Sequence, residues 1–257
     1  MLSLILGLSL GFILANISFR FAEGRQNFNL NLQTQAQINS ADSPHKANKS
    51  DNLDKPSAPS AVDSESGSLS INEVQQAIKK ADQDVDNLQL QRDLGTALFR
   101  YSALEHRADF LPDAIRLMER ADQKTFSEDK ELHETLGNAL FVEAQQVDSN
   151  KMSLARQSYQ KALQIEPNNA DLIVNIGLTY FFEHPSNPAA ALTQYNQALK
   201  IQPRNEKALE NLIVVLLALK QSLKANERFQ ELRQLNPDNQ SLTDLQSQVN
   251  QALLNNH

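Results

Sequence analysis

Three patterns of hydrophobic and polar positions follow one another along the chain. Residues 1–19 are almost continuously apolar and hold no charged side chain. Residues 20–69 are polar and broken. From Ser70 to Leu254 the apolar positions recur with helical period, separated by short polar interruptions.

Each pattern predicts an element. As a helix, residues 1–19 would be ~28 Å long, close to the hydrocarbon thickness of a bilayer. Arg20 and Arg25 follow, suited to lipid headgroups. A cleaved signal peptide is the competing reading. However, no Lys or Arg precedes the run, and only Ile13-Leu14-Ala15 approximates a cleavage site. The segment is therefore expected to be an uncleaved single-pass anchor. Within 20–69, SPHKANKSDNLDKPSAPSAVDSESGS offers almost nothing to bury and cannot offset its ordering entropy. The alternating NFNLNLQTQAQIN lacks a partner strand, so the whole stretch is expected to be a disordered linker. Ser70-Ile-Asn-Glu73 has the S-x-x-E spacing of a capping box and opens a leading helix over 70–87.

The helical region repeats itself. DLGTALF (93–99), TLGNALF (135–141) and NIGLTYF (175–181) superimpose, placing Gly95, Gly137 and Gly177 at one equivalent position. A second helix follows each: AIRLMERA (114–121), ARQSYQKA (155–162) and ALTQYNQA (191–198). NERFQELRQLNPDN ends a further copy, and Pro167, Pro203 and Pro237 recur after the second helices. Two helices pack closely where they present small residues, here Gly on helix A and Ala on helix B. Proline cannot continue helix B and turns the chain into the next unit. No single hairpin buries its apolar face, so the units must stack.

This pattern resembles the tetratricopeptide repeat. Ile173, Ile176, Gly177, Tyr180, Ala191, Tyr195, Ala198 and Pro203 carry the best match. The fourth unit has Ile213 in place of the glycine, and the first has Phe126 in place of the terminal proline. The first two units also carry extra residues near 102–112 and 143–153, which lengthen the helices or loop the turns. The expected fold is an all-α solenoid with units at 88–129, 130–169, 170–205 and 206–239 and a capping helix at 240–257. The combination of anchor, linker and array resembles membrane-attached bacterial repeat proteins.

The resemblance implies a concave groove lined by helix A. Transferred position by position, it places Arg92, Thr96, Phe99 and Arg100 there from the first unit. Glu134, Asn138, Phe141 and Val142 follow from the second, and Asp171, Val174, Leu178, Phe181 and Phe182 from the third. The fourth supplies Lys207, Glu210, Val214 and Leu217. The phenylalanines would form an apolar stripe for a peptide or helix, the alternative being that each ring packs against a neighbouring helix. Asn138, Asn175 and Lys207 fall on positions that clamp a C-terminal carboxylate in some members. Glu134 stands where the first clamp lysine is expected and opposes that role.

Composition narrows the function further. Only seven glycines argue against a β-rich or Rossmann-type protein, whose turns consume them. A net charge of −7 disfavours nucleic acid. The absence of Cys removes disulfides and thiolate metal sites. Asp82, Asp84, Asp86 and Asp93 have the spacing of a calcium loop, but Asn87 replaces its glycine and Asp93 its bidentate Glu. His133-Glu134 lacks the second histidine of a zinc-peptidase motif. No nucleophile elbow, P-loop or dinucleotide fingerprint occurs. The expectation is a protein without catalytic activity or cofactor: a membrane-tethered adaptor for a protein or peptide partner, or an assembly or maturation factor for a membrane complex.

The anchor carries one further pattern. Ser3, Gly7, Gly11 and Ala15 lie four residues apart on one helical face, a row that lets membrane helices pack closely. Self-association through that face is expected beside the simpler reading that Gly and Ala are common in membrane spans. Arg20, Arg25, Lys46 and Lys49 all follow the anchor, which places the repeats in the cytoplasm by the positive-inside tendency, with a periplasmic domain as the alternative.

Overall fold

The computed structural model describes residues 71–104, 107–122, 128–147 and 149–255. The expected anchor with Ser3, Gly7, Gly11 and Ala15, the linker, and Ser70 of the capping box lie outside them. Among the described residues no helix is long and apolar enough to cross a membrane.

Those residues form ten α-helices and no strand. A leading helix α1 (Ile71–Gln83) precedes four hairpins: α2 (Leu88–Leu104) with α3 (Leu111–Asp122), and α4 (Lys130–Gln146) with α5 (Met152–Ile165). The others are α6 (Ala170–Phe182) with α7 (Pro188–Ile201), and α8 (Glu206–Ala218) with α9 (Ser222–Leu235). Helix α10 (Leu242–Leu254) packs on both α8 and α9, where a fifth helix A would stand. Its Leu245 and Val249 are buried while Thr243, Asp244, Gln246, Ser247 and Asn250 face water, so it closes the stack.

Asparagine and aspartate start the helices. Asp129, Asn169, Asn187 and Asn205 accept hydrogen bonds from the third helical amides, at Leu132, Leu172, Ala190 and Ala208. Each such cap stabilises by about 1 kcal/mol. Two of them close the turns Pro167-Asn168-Asn169 and Pro203-Arg204-Asn205, so the proline that ends helix B is followed at once by the residue that begins helix A. Lys220 ends α8 in the left-handed region (φ 57°), and the Gln221 amide bonds back to the Leu216 carbonyl.

The extra residues of the first two hairpins do both things expected of them. Helices α2 and α4 run 17 residues against 13 in α6 and α8, and single 3-10 turns (Ala108–Phe110, Ser149–Lys151) then lead into α3 and α5. Phe110, Leu111, Ala144 and Met152 bury that extra length.

Within each hairpin the contact differs in detail from glycine against alanine. At Gly137 and Gly177 it is a tyrosine ring of helix B that lies on the glycine. A methyl group at Gly137 would stand 2.7 Å from the Tyr159 ring, and one at Gly177 would overlap Tyr195. At Gly95 the backbone itself approaches: a methyl would meet the Met118 amide nitrogen at 2.9 Å and the Ala114 carbonyl at 3.0 Å. The alanines Ala114, Ala155 and Ala191 lie one turn before these groups and are fully buried. In the fourth hairpin Ile213 and Phe229 fill the equivalent space without a glycine.

Two core clusters meet at α6. Helix α6 contributes Leu172 and Ile176 to the cluster of the first two hairpins, and Ile173 and Val174 to that of the last two. Arg156 of α5 reinforces this junction, its guanidinium 3.8 Å from the centre of the Tyr180 ring and paired with Glu183.

The two buried tyrosines differ in one respect. Tyr159 donates to Asn138 Oδ1 at 2.8 Å, whereas the Tyr195 hydroxyl has no hydrogen-bond partner among the described residues, Leu178 standing where Asn138 does one unit earlier. A lost hydrogen bond costs about 1 kcal/mol, and an unsatisfied buried polar group costs about as much to keep. Tyr159→Phe is therefore expected to lower stability by about 1 kcal/mol in urea unfolding, and Tyr195→Phe to leave it equal or raise it. Equal losses for both would contradict the assignment of partners.

Candidate partner-binding groove

Helices α2, α4, α6 and α8 pack side by side, and α10 extends the row. Helix α2 and the N-terminal halves of α4, α6 and α8 bring polar groups together, and the C-terminal halves of α4, α6 and α8 bring apolar ones.

The polar end begins at Arg92. Its Nη1 donates to Asp93 at 2.9 Å and its Nη2 to Glu131 at 3.3 Å, while Nε binds Asp129. Arg100 donates to the other oxygen of Glu131 at 2.7 Å. The Asp129 carboxylate beside it raises the Arg92 pKa further, so this side chain stays charged. Burial pushes Asp129 itself upward, but Arg92 and the Leu132 amide outweigh it and hold the carboxyl below the ordinary aspartate range. Glu131 occupies the second position of its unit, so the rule that named Asp171 and Lys207 could have found it in the sequence.

Asn138 is tied to Tyr159, as above, and Asn175 and Lys207 are half-buried on the next two helices. Asn211 donates to the Lys207 carbonyl at 2.8 Å. Glu210 is buried, with its Oε1 accepting from Asn239 Nδ2 at 2.7 Å, and Asn239 also donates to Glu206 at 2.8 Å. Thr96 and Val174 are buried too, the Thr96 hydroxyl bonding to the Arg92 carbonyl.

The apolar end departs from expectation in its first half. Phe99 and Phe141, expected on the open stripe, are core residues at 2% exposure each. Phe182 from the neighbouring helix stands edge-on to Phe141 with ring centres 6.0 Å apart, closing over it. For these two rings the alternative of packing between helices is the one observed. Leu178, Phe181, Phe182 and Leu217 are half-buried, as are Val142 and Val214. The partly open surface therefore runs from α4 to α8.

The aspartates spaced like a calcium loop are used otherwise. Asp82 pairs with Arg116 and Arg120, and Asp84 accepts from Asn87. Arg116 is the main cause of a lowered Asp82 pKa. Among the described residues no three metal-ligating side chains converge.

Comparison with known proteins bears on the fold. A thermophilic TPR protein of Thermus thermophilus superposes with a TM-score of 0.50 at 17% identity, over 71% of this chain and 98% of that one. MamA protein superposes with the same TM-score, 0.50, at 17% identity, over 64% of this chain and 81% of that one. The fold is a tetratricopeptide-repeat solenoid. No family model matches the chain. Human protein O-mannosyl-transferase TMTC3 is 34% identical over 67 residues, which are 26% of this chain. The chain spans only 7% of that protein's length.

Glu210 gives this solenoid a pH signature. Burial raises its pKa above the glutamate value of 4.5, a shift that Asn239 reduces and Glu206 reinforces. A buried acid with a raised pKa penalises folding above its folded pKa. The penalty fades as pH falls toward the unfolded value. Glu210→Gln keeps an acceptor for Asn239 and is expected to melt a few degrees higher near pH 7, the advantage shrinking toward about pH 4.5. A variant less stable than wild type at neutral pH would show that the charge itself holds the α8–α10 junction.

Proposed function

We propose that the protein is a non-enzymatic adaptor that binds a segment of a partner protein along the inner faces of α4, α6 and α8. One observation carries this reading: Leu178, Phe181, Phe182, Val142, Val214 and Leu217 stay partly open on adjacent helices, while the equivalent rings of the first two hairpins are sealed in the core. Large apolar side chains left together on an inner face suit a partner that covers them. The sequence adds a tether. An anchor at 1–19 and a polar linker of about fifty residues would hold the groove within reach of the cytoplasmic face of a membrane and concentrate it there.

A photo-crosslinking amino acid in the intact protein tests this in cells. Placed at Leu178 it is expected to yield a defined protein adduct, and placed at exposed Gln197 on α7 it is expected to yield none. Equal labelling from both positions would remove the groove as the binding face.

A further inference from the structure

The groove offers little to an extended chain. The backbone groups of α4, α6 and α8 are used within the helices, so they cannot form a ladder with a bound strand. Of the three asparagines along the groove, Asn138 holds Tyr159 and Asn211 is tied to its own helix. An extended segment over Leu178, Phe181 and Phe182 would leave covered N–H and C=O groups unpaired, which opposes binding. A helix brings its own hydrogen bonds. The spacing agrees: packed helices lie about 8–10 Å apart, and residues seven apart on one helical face rise about 10.5 Å.

Charge selects among helices. At the polar end four carboxylates (Asp93, Asp129, Glu131 and Glu134) stand with Arg92 and Arg100, which pair with the first three, while Glu134 lies in the field of Lys130, itself bound to a fifth acid, Glu166. The side chains of Asp93 and Glu131 remain 53% and 55% exposed, and the arginines are already shared among three of the four acids. Further along, Asp171 accepts from Asn205 and Glu206 accepts from Asn236 and Asn239, so both acids keep their charge beside neutral donors. The rim is therefore acidic beside an apolar floor.

We propose that the occupant of this groove is an amphipathic helix with an apolar stripe at i, i+3, i+4 and i+7 and Lys or Arg on the flank facing α4. This rests on the groove reading above. The apolar stripe would cover Leu178, Phe182 and Leu217, while its basic flank reaches the carboxylate of Glu134 and the exposed side of Glu131.

The test uses the full chain in neutral detergent micelles and three fluorescein-labelled model peptides of about 18 residues, a helix long enough to cross three neighbouring units. One is a Leu/Lys amphipathic helix, one its Leu/Glu counterpart, and one the Leu/Lys peptide broken by two prolines. Protein-free micelles supply the background for each. By fluorescence anisotropy the Leu/Lys helix is expected to bind about tenfold more tightly than either other peptide, a preference that weakens with salt. Glu134→Lys is expected to reduce that binding several-fold. Leu217→Asp is expected to lower it as well, and Ala218→Arg, at an exposed position that leaves the core untouched, serves as a second blocking variant. If the acidic or proline-broken peptide binds as tightly as the basic helix, and Ala218→Arg weakens it, the basic-helix inference is overturned while the groove reading stands. If no peptide binds, or binding is indifferent to both blocking variants, the groove reading falls and this inference with it.

Discussion

The close approach of helix A to helix B governs this structure. A tyrosine ring resting on a glycine, as at Gly177 and Tyr195, brings two helices nearer than any side chain at that glycine would allow. The approach spends the B-facing side of helix A on the hairpin. Its flanks are spent on stacking, because no hairpin alone buries enough apolar surface to hold its shape. What remains of helix A faces inward, and its composition is then free to serve something other than folding.

That freedom is used unevenly along the stack. In the first two hairpins Phe99 and Phe141 are core residues, Phe182 closing over Phe141, and charge pairs around Arg92 and Arg100 occupy the inner face. In the third and fourth hairpins the helices are a turn shorter, and Phe181, Phe182, Leu178 and Leu217 stay partly open. The pairs of Asp93 and Glu131, whose side chains are exposed, contribute little to stability. Their larger effect is on which partner can approach, through the excess of carboxylates they leave behind.

Much of the fold was legible because the repeat rests on residues with few substitutes. Glycine at a close approach, alanine on the facing helix and proline after helix B have distinct physical roles, and their recurrence set the helical register. Side-chain burial was less legible. The position rule that placed Phe99 and Phe141 on the groove says which face of helix A a ring leaves from, but not what a neighbouring helix lays over it, as Phe182 does over Phe141. The tyrosine on the glycine was missed for another reason: small residues suggest contact with small residues, yet a flat ring fills the same gap. Helix α10 reads in the sequence as a polar cap, and only its packing on α8 and α9 shows it continuing the row of A helices.

The inner face is sealed at one end of the solenoid and partly open at the other. Hydroxyl-radical footprinting of the intact protein, read by mass spectrometry, measures this directly. Leu178, Phe181, Phe182 and Leu217 are predicted to be oxidised at rates well above those of Phe99 and Phe141. Equal protection of all six residues, or faster oxidation of Phe99 and Phe141, would contradict the account.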